Sequence, residues 1–178
     1  MKAPKQVAEP QEYVVEVTVA PETWIIAPLM PEEQVERYVR KGWLDEEGRH
    51  LDRCWPRNTD GKPVIFKLWL LQVLKRAARR LGIPREKLEF DIIDDDGVPV
   101  QYIVIPEKPL RYRRRVKDTT ETFEYIDSTF TLKFRVLTKY PKEFIECLRL
   151  AGKIGIMART KHGYGKFRVV DVKISPKT

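Results

Sequence analysis

The chain has 178 residues, 34 Lys and Arg against 26 Asp and Glu, and a net charge of +8. That length suits one well-cored domain better than two, and no apolar run approaches the roughly 20 residues of a membrane helix. Met1-Lys-Ala-Pro-Lys-Gln lacks a signal-peptide core and Cys54 and Cys147 form no CxxC pair, which predicts a cytoplasmic protein without a structural zinc.

Residues 1–11 are polar, with two prolines, and read as a flexible tail; residues 12–178 read as a single domain with an insertion at about 30–63. Tyr13, Val15, Val17 and Val19 alternate with Val14, Glu16 and Thr18 as in a strand, and Trp24-Ile25-Ile26 extends it after a bend at Pro21. Pro31-Glu32-Glu33 opens a short helix to about Lys41, with proline and acids where a helix N-terminus favours them. Residues 42–63 read as irregular, anchored to the body by Trp43 and Trp55.

Val64 to Leu81 predicts a helix with Phe66, Leu70, Val73, Leu74, Ala77 and Leu81 on one face, stopped by Gly82 and Pro84. Strands follow at 88–93 and 99–105 around an Asp94-Asp95-Asp96-Gly97 turn. Residues 108–117 and 118–125 predict a hairpin that projects from the body, because little in it is apolar. Thr129 to Leu137 alternates again, Pro141 to Ala151 is helical with Phe144, Ile145 and Leu148 inward and Cys147 as a small core residue, and 166–174 is the last strand. Stripped of insertions, the order is that of an α+β, ferredoxin-like β-α-β-β-α-β fold with a basic β-hairpin added. Two helices would cover one face of the sheet and leave the other as a platform for single-stranded nucleic acid, although no RNP1-type aromatic pattern is present.

Charge is concentrated in two acid-free stretches. Residues 108–117 hold six basic side chains and residues 149–168 another six, so these thirty residues carry +12 and the remainder −4. Focused charge of this kind points to a polyanion. In the second stretch Gly152, Gly155, Gly163 and Gly165, four of the nine glycines, interrupt apolar runs; glycine permits positive φ and a close approach of the main chain to an anion. The candidate binding residues are Arg111, Tyr112, Arg113, Arg114, Arg115 and Lys117 in the hairpin. In the glycine segment they are Lys153, Gly155, Arg159, Lys161, His162, Gly163, Tyr164, Gly165 and Lys166, with Tyr112 and Tyr164 available to stack on bases.

The run from Leu148 to Val170, with Ala151-Gly152, Ile154-Gly155-Ile156, a basic patch, Gly163-Tyr164-Gly165 and Phe167, resembles the glycine-rich C-terminal segment of the RAMP superfamily. These are CRISPR-associated RNA-binding proteins with ferredoxin-like folds, and similar segments occur in phage and prophage proteins. Asp60-Gly-Lys-Pro-Val-Ile is similar to the family's approach to its first helix, while Phe66, Lys67, Leu68 and Trp69 replace its usual small residues. The resemblance implies single-stranded nucleic acid, RNA before DNA, held along its phosphates by a ribonucleoprotein subunit or a homo-oligomer.

Because some family members are metal-independent endoribonucleases that use a histidine, His162 is a candidate catalyst; the simpler reading makes it a hydrogen-bond donor to a phosphate or a surface residue, and places His50 on the surface. Asp91, Asp94, Asp95 and Asp96 could hold a metal but read first as a solvated turn. No Walker or nucleophile-elbow spacing occurs, and neither a metal nor a cofactor is expected. A viral structural or assembly protein is the remaining alternative, with Trp24, Trp43, Trp55 and Trp69 available for a subunit interface. The Lys-, Arg- and Glu-rich composition, 34% charged, leans toward that of thermophiles.

Overall fold

The computed structural model describes residues 11–178, the side chain of Val116 excepted; the tail expected over 1–11 lies, Gln11 apart, outside the described residues. In chain order the elements are β1 (Tyr13–Pro21), β2 (Ile25–Ile26), α1 (Glu32–Arg40), β3 (Val64–Phe66), α2 (Lys67–Leu81), β4 (Asp91–Ile93) and β5 (Pro99–Val100). There follow β6 (Tyr102–Val104), β7 (Leu110–Val116), β8 (Thr119–Ile126), β9 (Leu132–Thr138), α3 (Pro141–Ile154) and β10 (Phe167–Pro176).

The main sheet has the order β10-β1-β9-β4-β5, with every neighbouring pair antiparallel. Alternation along β1 buries Val15, Val17 and Val19, and their cross-strand partners Val136, Phe134 and Leu132 are buried too. Onto this face pack Leu70, Val73, Leu74 and Ala77 of α2 and Phe144, Cys147, Leu148 and Ala151 of α3, forming one continuous core. Burying each Val, Leu or Phe side chain among them contributes about 1.5–3 kcal/mol. Gly82 ends α2 in the left-handed conformation, φ 71°, as a residue without a Cβ readily does.

Several expectations are corrected. Trp24-Ile25-Ile26 does not continue β1: the amides of Glu22 and Thr23 donate to the Lys166 carbonyl, the chain turns there, and β2 pairs with β8 in a second sheet ordered β2-β8-β7. The helix expected from Val64 begins at Lys67, because Val64, Ile65 and Phe66 follow Pro63 as a strand paired with β6. Phe66 is accordingly not on a helical face, and Leu81 is exposed. The strand expected over 99–105 breaks at Gln101, with β5 staying on β4 and β6 crossing to β3. That expected over 88–93 starts only at Asp91, after a 3-10 turn at Arg85–Leu88.

The insertion has its own small core of Val35, Tyr38, Leu44, Leu51 and Cys54. Trp55 does anchor it, fully buried in the main core, whereas Trp43 packs on Tyr38 within the insertion. The hairpin is anchored as well. Phe123, Glu124 and Ile126 of β8 are buried, so only the distal part of β7–β8 projects.

Candidate nucleic-acid interface

α3 ends at Gly155, φ 98°, and the chain returns to its starting point: the Ile156 amide donates to the Gly165 carbonyl and the Gly165 amide to that of Trp24. The segment from Gly155 to Gly165 is therefore a closed loop clasped to β2. A Cβ built on Gly165 would lie 1.9 Å from the Ile156 oxygen, one on Gly152 2.1 Å from that of Phe167 and one on Gly155 2.8 Å from that of Tyr164. These glycines admit neighbouring backbone of the same chain. Gly163, φ 89°, has nothing within 4 Å and is the one with open space before it.

The hairpin stands beside this loop, and the junction is aromatic. Trp24 stacks on Tyr125 at 4.0 Å, meets Tyr112 edge-on at 5.7 Å and runs nearly parallel to Tyr164 at 6.4 Å. Tyr112 and Tyr164, 52 positions apart in the sequence, thus share one ring as neighbour. Tyr112 is exposed and Trp24, Tyr125 and Tyr164 half-buried, so π-faces and edges remain open to solvent. Strand alternation puts Tyr112 and Arg114 of β7 on the face that carries Glu121, Phe123 and Tyr125 of β8.

The predicted basic residues divide by what they touch. Arg113, Arg114, Arg115 and Lys117 are exposed, and the three arginines make no ion pair among the described residues; Lys117, φ 54°, starts the two-residue turn. Arg111 instead donates to Asp45 at 2.6 Å, which holds the Asp45 carboxyl below its ordinary value. Arg159, in left-handed conformation at φ 59°, donates to both oxygens of Glu121, and Arg53 donates to the same carboxylate at 3.1 Å. The Arg159 hydrogen bonds, followed by those from Arg53, hold the Glu121 carboxyl low against the opposing effect of burial. Lys153, Lys161 and His162 are exposed, and Lys166 is half-buried where its backbone clasps residues 22–23.

A deeper ion pair fixes the hairpin root. Glu124 accepts from Arg57 at 2.8 and 3.0 Å and from the Trp55 amide at 2.8 Å, with both side chains 4% exposed or less. Sequence reading missed Arg53, Arg57, Glu121 and Glu124. Tyr125 was within reach, since it shares a face of the predicted hairpin with Tyr112.

His162 closes a 3-10 turn, and its ring has no hydrogen-bonding partner among the described residues. Asp94 accepts from the amides of Asp96 and Val98, as a turn residue does, and Asp91 pairs with Lys67 at 3.3 Å. Among the described residues no three His, Cys, Asp or Glu gather as metal ligands, and no helix is long and apolar enough to cross a membrane. The face of the main sheet away from the helices mixes signs: Lys133 pairs with Glu16 at 3.5 Å, and Arg135 donates to the Asp94 and Asp95 carbonyls. The exposed arginines Arg113, Arg114 and Arg115, without an ion pair among the described residues, lie instead on the hairpin.

No family model matches the chain, and no curated protein sequence does. Its backbone does have solved counterparts. One is a chain in the cryo-EM structure of type III-B Cmr-beta bound to cognate target RNA, with TM-score 0.58 and 11% identity over 93% of this chain. The chain shares its fold with that Cmr-beta chain. It spans 61% of the length of that Cmr-beta chain. The crystal structure of a Csm3-Csm4 subcomplex of the type III-A CRISPR-Cas interference complex also aligns, with TM-score 0.48 and 16% identity over 96% of this chain and 83% of the other. On this fold the first turns of α2 lie against the glycine loop. Trp69, Gln72 and Arg76 of α2 face Gly155, Met157 and Thr160 of the glycine loop across a groove of about 280 Å³.

Proposed function

We propose that this chain is an RNA-binding subunit of a ribonucleoprotein, holding a single strand by its phosphates across the glycine loop and the distal β7–β8 hairpin. The observation that carries this reading is the convergence of two acid-free basic stretches on one aromatic cluster centred on Trp24. Exposed guanidiniums supply salt-dependent affinity, and half-open rings supply stacking of about 1–3 kcal/mol per base without choosing among bases. The fold shared with a subunit from an RNA-bound assembly favours RNA over DNA. We read the core as a single ferredoxin-like domain: β1, α2, β4, β9, α3 and β10 follow one another as β-α-β-β-α-β, with sheet order β10-β1-β9-β4.

Binding without cleavage fits the site better than a nuclease, because no hydrogen bond from the described residues orients the His162 ring toward a substrate. Fluorescence anisotropy with labelled single-stranded RNA, single-stranded DNA and duplex RNA, titrated with salt, tests the reading. Single-stranded RNA should bind most tightly and weaken steeply with salt. Absence of binding at low ionic strength would overturn the proposal, and a salt-insensitive self-association would favour the assembly-protein alternative.

A further inference from the structure

The Glu121 carboxylate is the meeting point of three segments remote in sequence: β8, which carries it, the insertion through Arg53 and the glycine loop through Arg159. Arg114 lies directly opposite Glu121 in the β7–β8 register and adds a third guanidinium, exposed and without an ion pair among the described residues. Arg53, Glu121 and Arg159 are 17%, 19% and 27% exposed, so a ligand can reach them without unfolding the protein. Arg159 uses one terminal nitrogen for both Glu121 oxygens, and its Nε is buried without a partner. Guanidiniums that converge on a carboxylate present the donor geometry that also suits the free oxygens of a phosphodiester.

The trio is not needed to dock the hairpin. The root of β8 is already held by the buried Glu124–Arg57 pair and by Phe123 and Ile126, while partly exposed ion pairs contribute little to stability. We propose that Arg53, Arg114 and Arg159 form a binding site for a backbone phosphate of the strand, and that Glu121 occupies it in the free protein as a competitor the strand must displace. The inference rests on the RNA-binding reading and adds to it a built-in brake. Binding of a phosphate there frees Glu121 and joins hairpin, insertion and loop through the ligand in place of the carboxylate.

The test is anisotropy of a labelled oligouridylate against wild type, Glu121→Gln and Glu121→Ala over a salt series, with melting followed in parallel. Both variants should bind about tenfold tighter at low salt. Their log–log salt dependence should be steeper by about 0.7, the increment of one single-strand phosphate. Glu86→Gln, which removes the same charge from a surface acid outside the interface, should leave affinity nearly unchanged. An equal gain in Glu86→Gln would reduce the effect to net charge and overturn the proposal. So would unchanged or weaker binding in both Glu121 variants, or loss of a cooperative melting transition in both. No binding by the wild type would instead remove the RNA-binding reading on which the inference stands.

Discussion

At Gly165 the missing Cβ decides whether the glycine loop can close, since that atom would sit 1.9 Å from the Ile156 oxygen in a residue with φ 77°. Gly165→Ala should therefore destabilise the protein by about 2–4 kcal/mol, seen as a large fall in melting temperature. Gly163→Ala meets only its positive φ and open space, so about 1 kcal/mol is expected. A glycine spacing can be read from the chain, but its cause here is the protein's own backbone passing close by, which spacing cannot distinguish from an anion. Glu124 makes the complementary point. Glu124→Ala would strand the buried Arg57 guanidinium and should cost about 3–5 kcal/mol in chemical denaturation. Neither residue had a signal in the sequence, because the partners stand 67 positions apart and each looks like an ordinary surface charge.

β7 and β8 were legible as a hairpin from alternation and composition, and their docking was not, since it rests on pairing of Tyr125 and Ile126 with β2 and of Phe123 with Arg53 of the insertion, segments remote in sequence. Replacing Arg113, Arg114 and Arg115 together by Glu should weaken RNA binding more than tenfold at low salt and flatten its log–log salt dependence by about 2. Melting should barely move, because these side chains are exposed. The contact between β8 and the glycine loop should also respond to acid. Glu121 is held low by Arg159, so its contribution is fully present above the unfolded carboxyl value of about 4.3 and is lost as pH falls through the lower folded value. Hydrogen exchange should then accelerate at residues 119–122 and 156–162 ahead of the main sheet, and Glu121→Gln should abolish that pH dependence.

Taken as one molecule, the chain joins a two-helix, antiparallel-sheet body to a basic and aromatic edge, and the reading of that edge as a binder makes a direct prediction. RNA incubated with excess protein in EDTA should stay intact for wild type and His162→Ala alike, as judged by denaturing electrophoresis. Cleavage that disappears in His162→Ala would reverse the reading. Local pattern sufficed for the parts whose cause is local: period-2 burial marks β1 and β9, period-3.6 burial marks α2 and α3, and acid-free stretches mark the two basic segments. Position in three dimensions followed from contacts between distant segments. Val64–Phe66 looked like the first turn of a helix until β6 offered it a strand partner, and Trp24 looked like an extension of β1 until Lys166 turned the chain. The same holds at the interface, where Tyr112 and Tyr164 each had a reason to be candidates but only packing against Trp24 makes them neighbours. Periodicity records the face a residue presents to its own element, whereas the meeting of faces depends on the burial and hydrogen bonding of the whole chain at once.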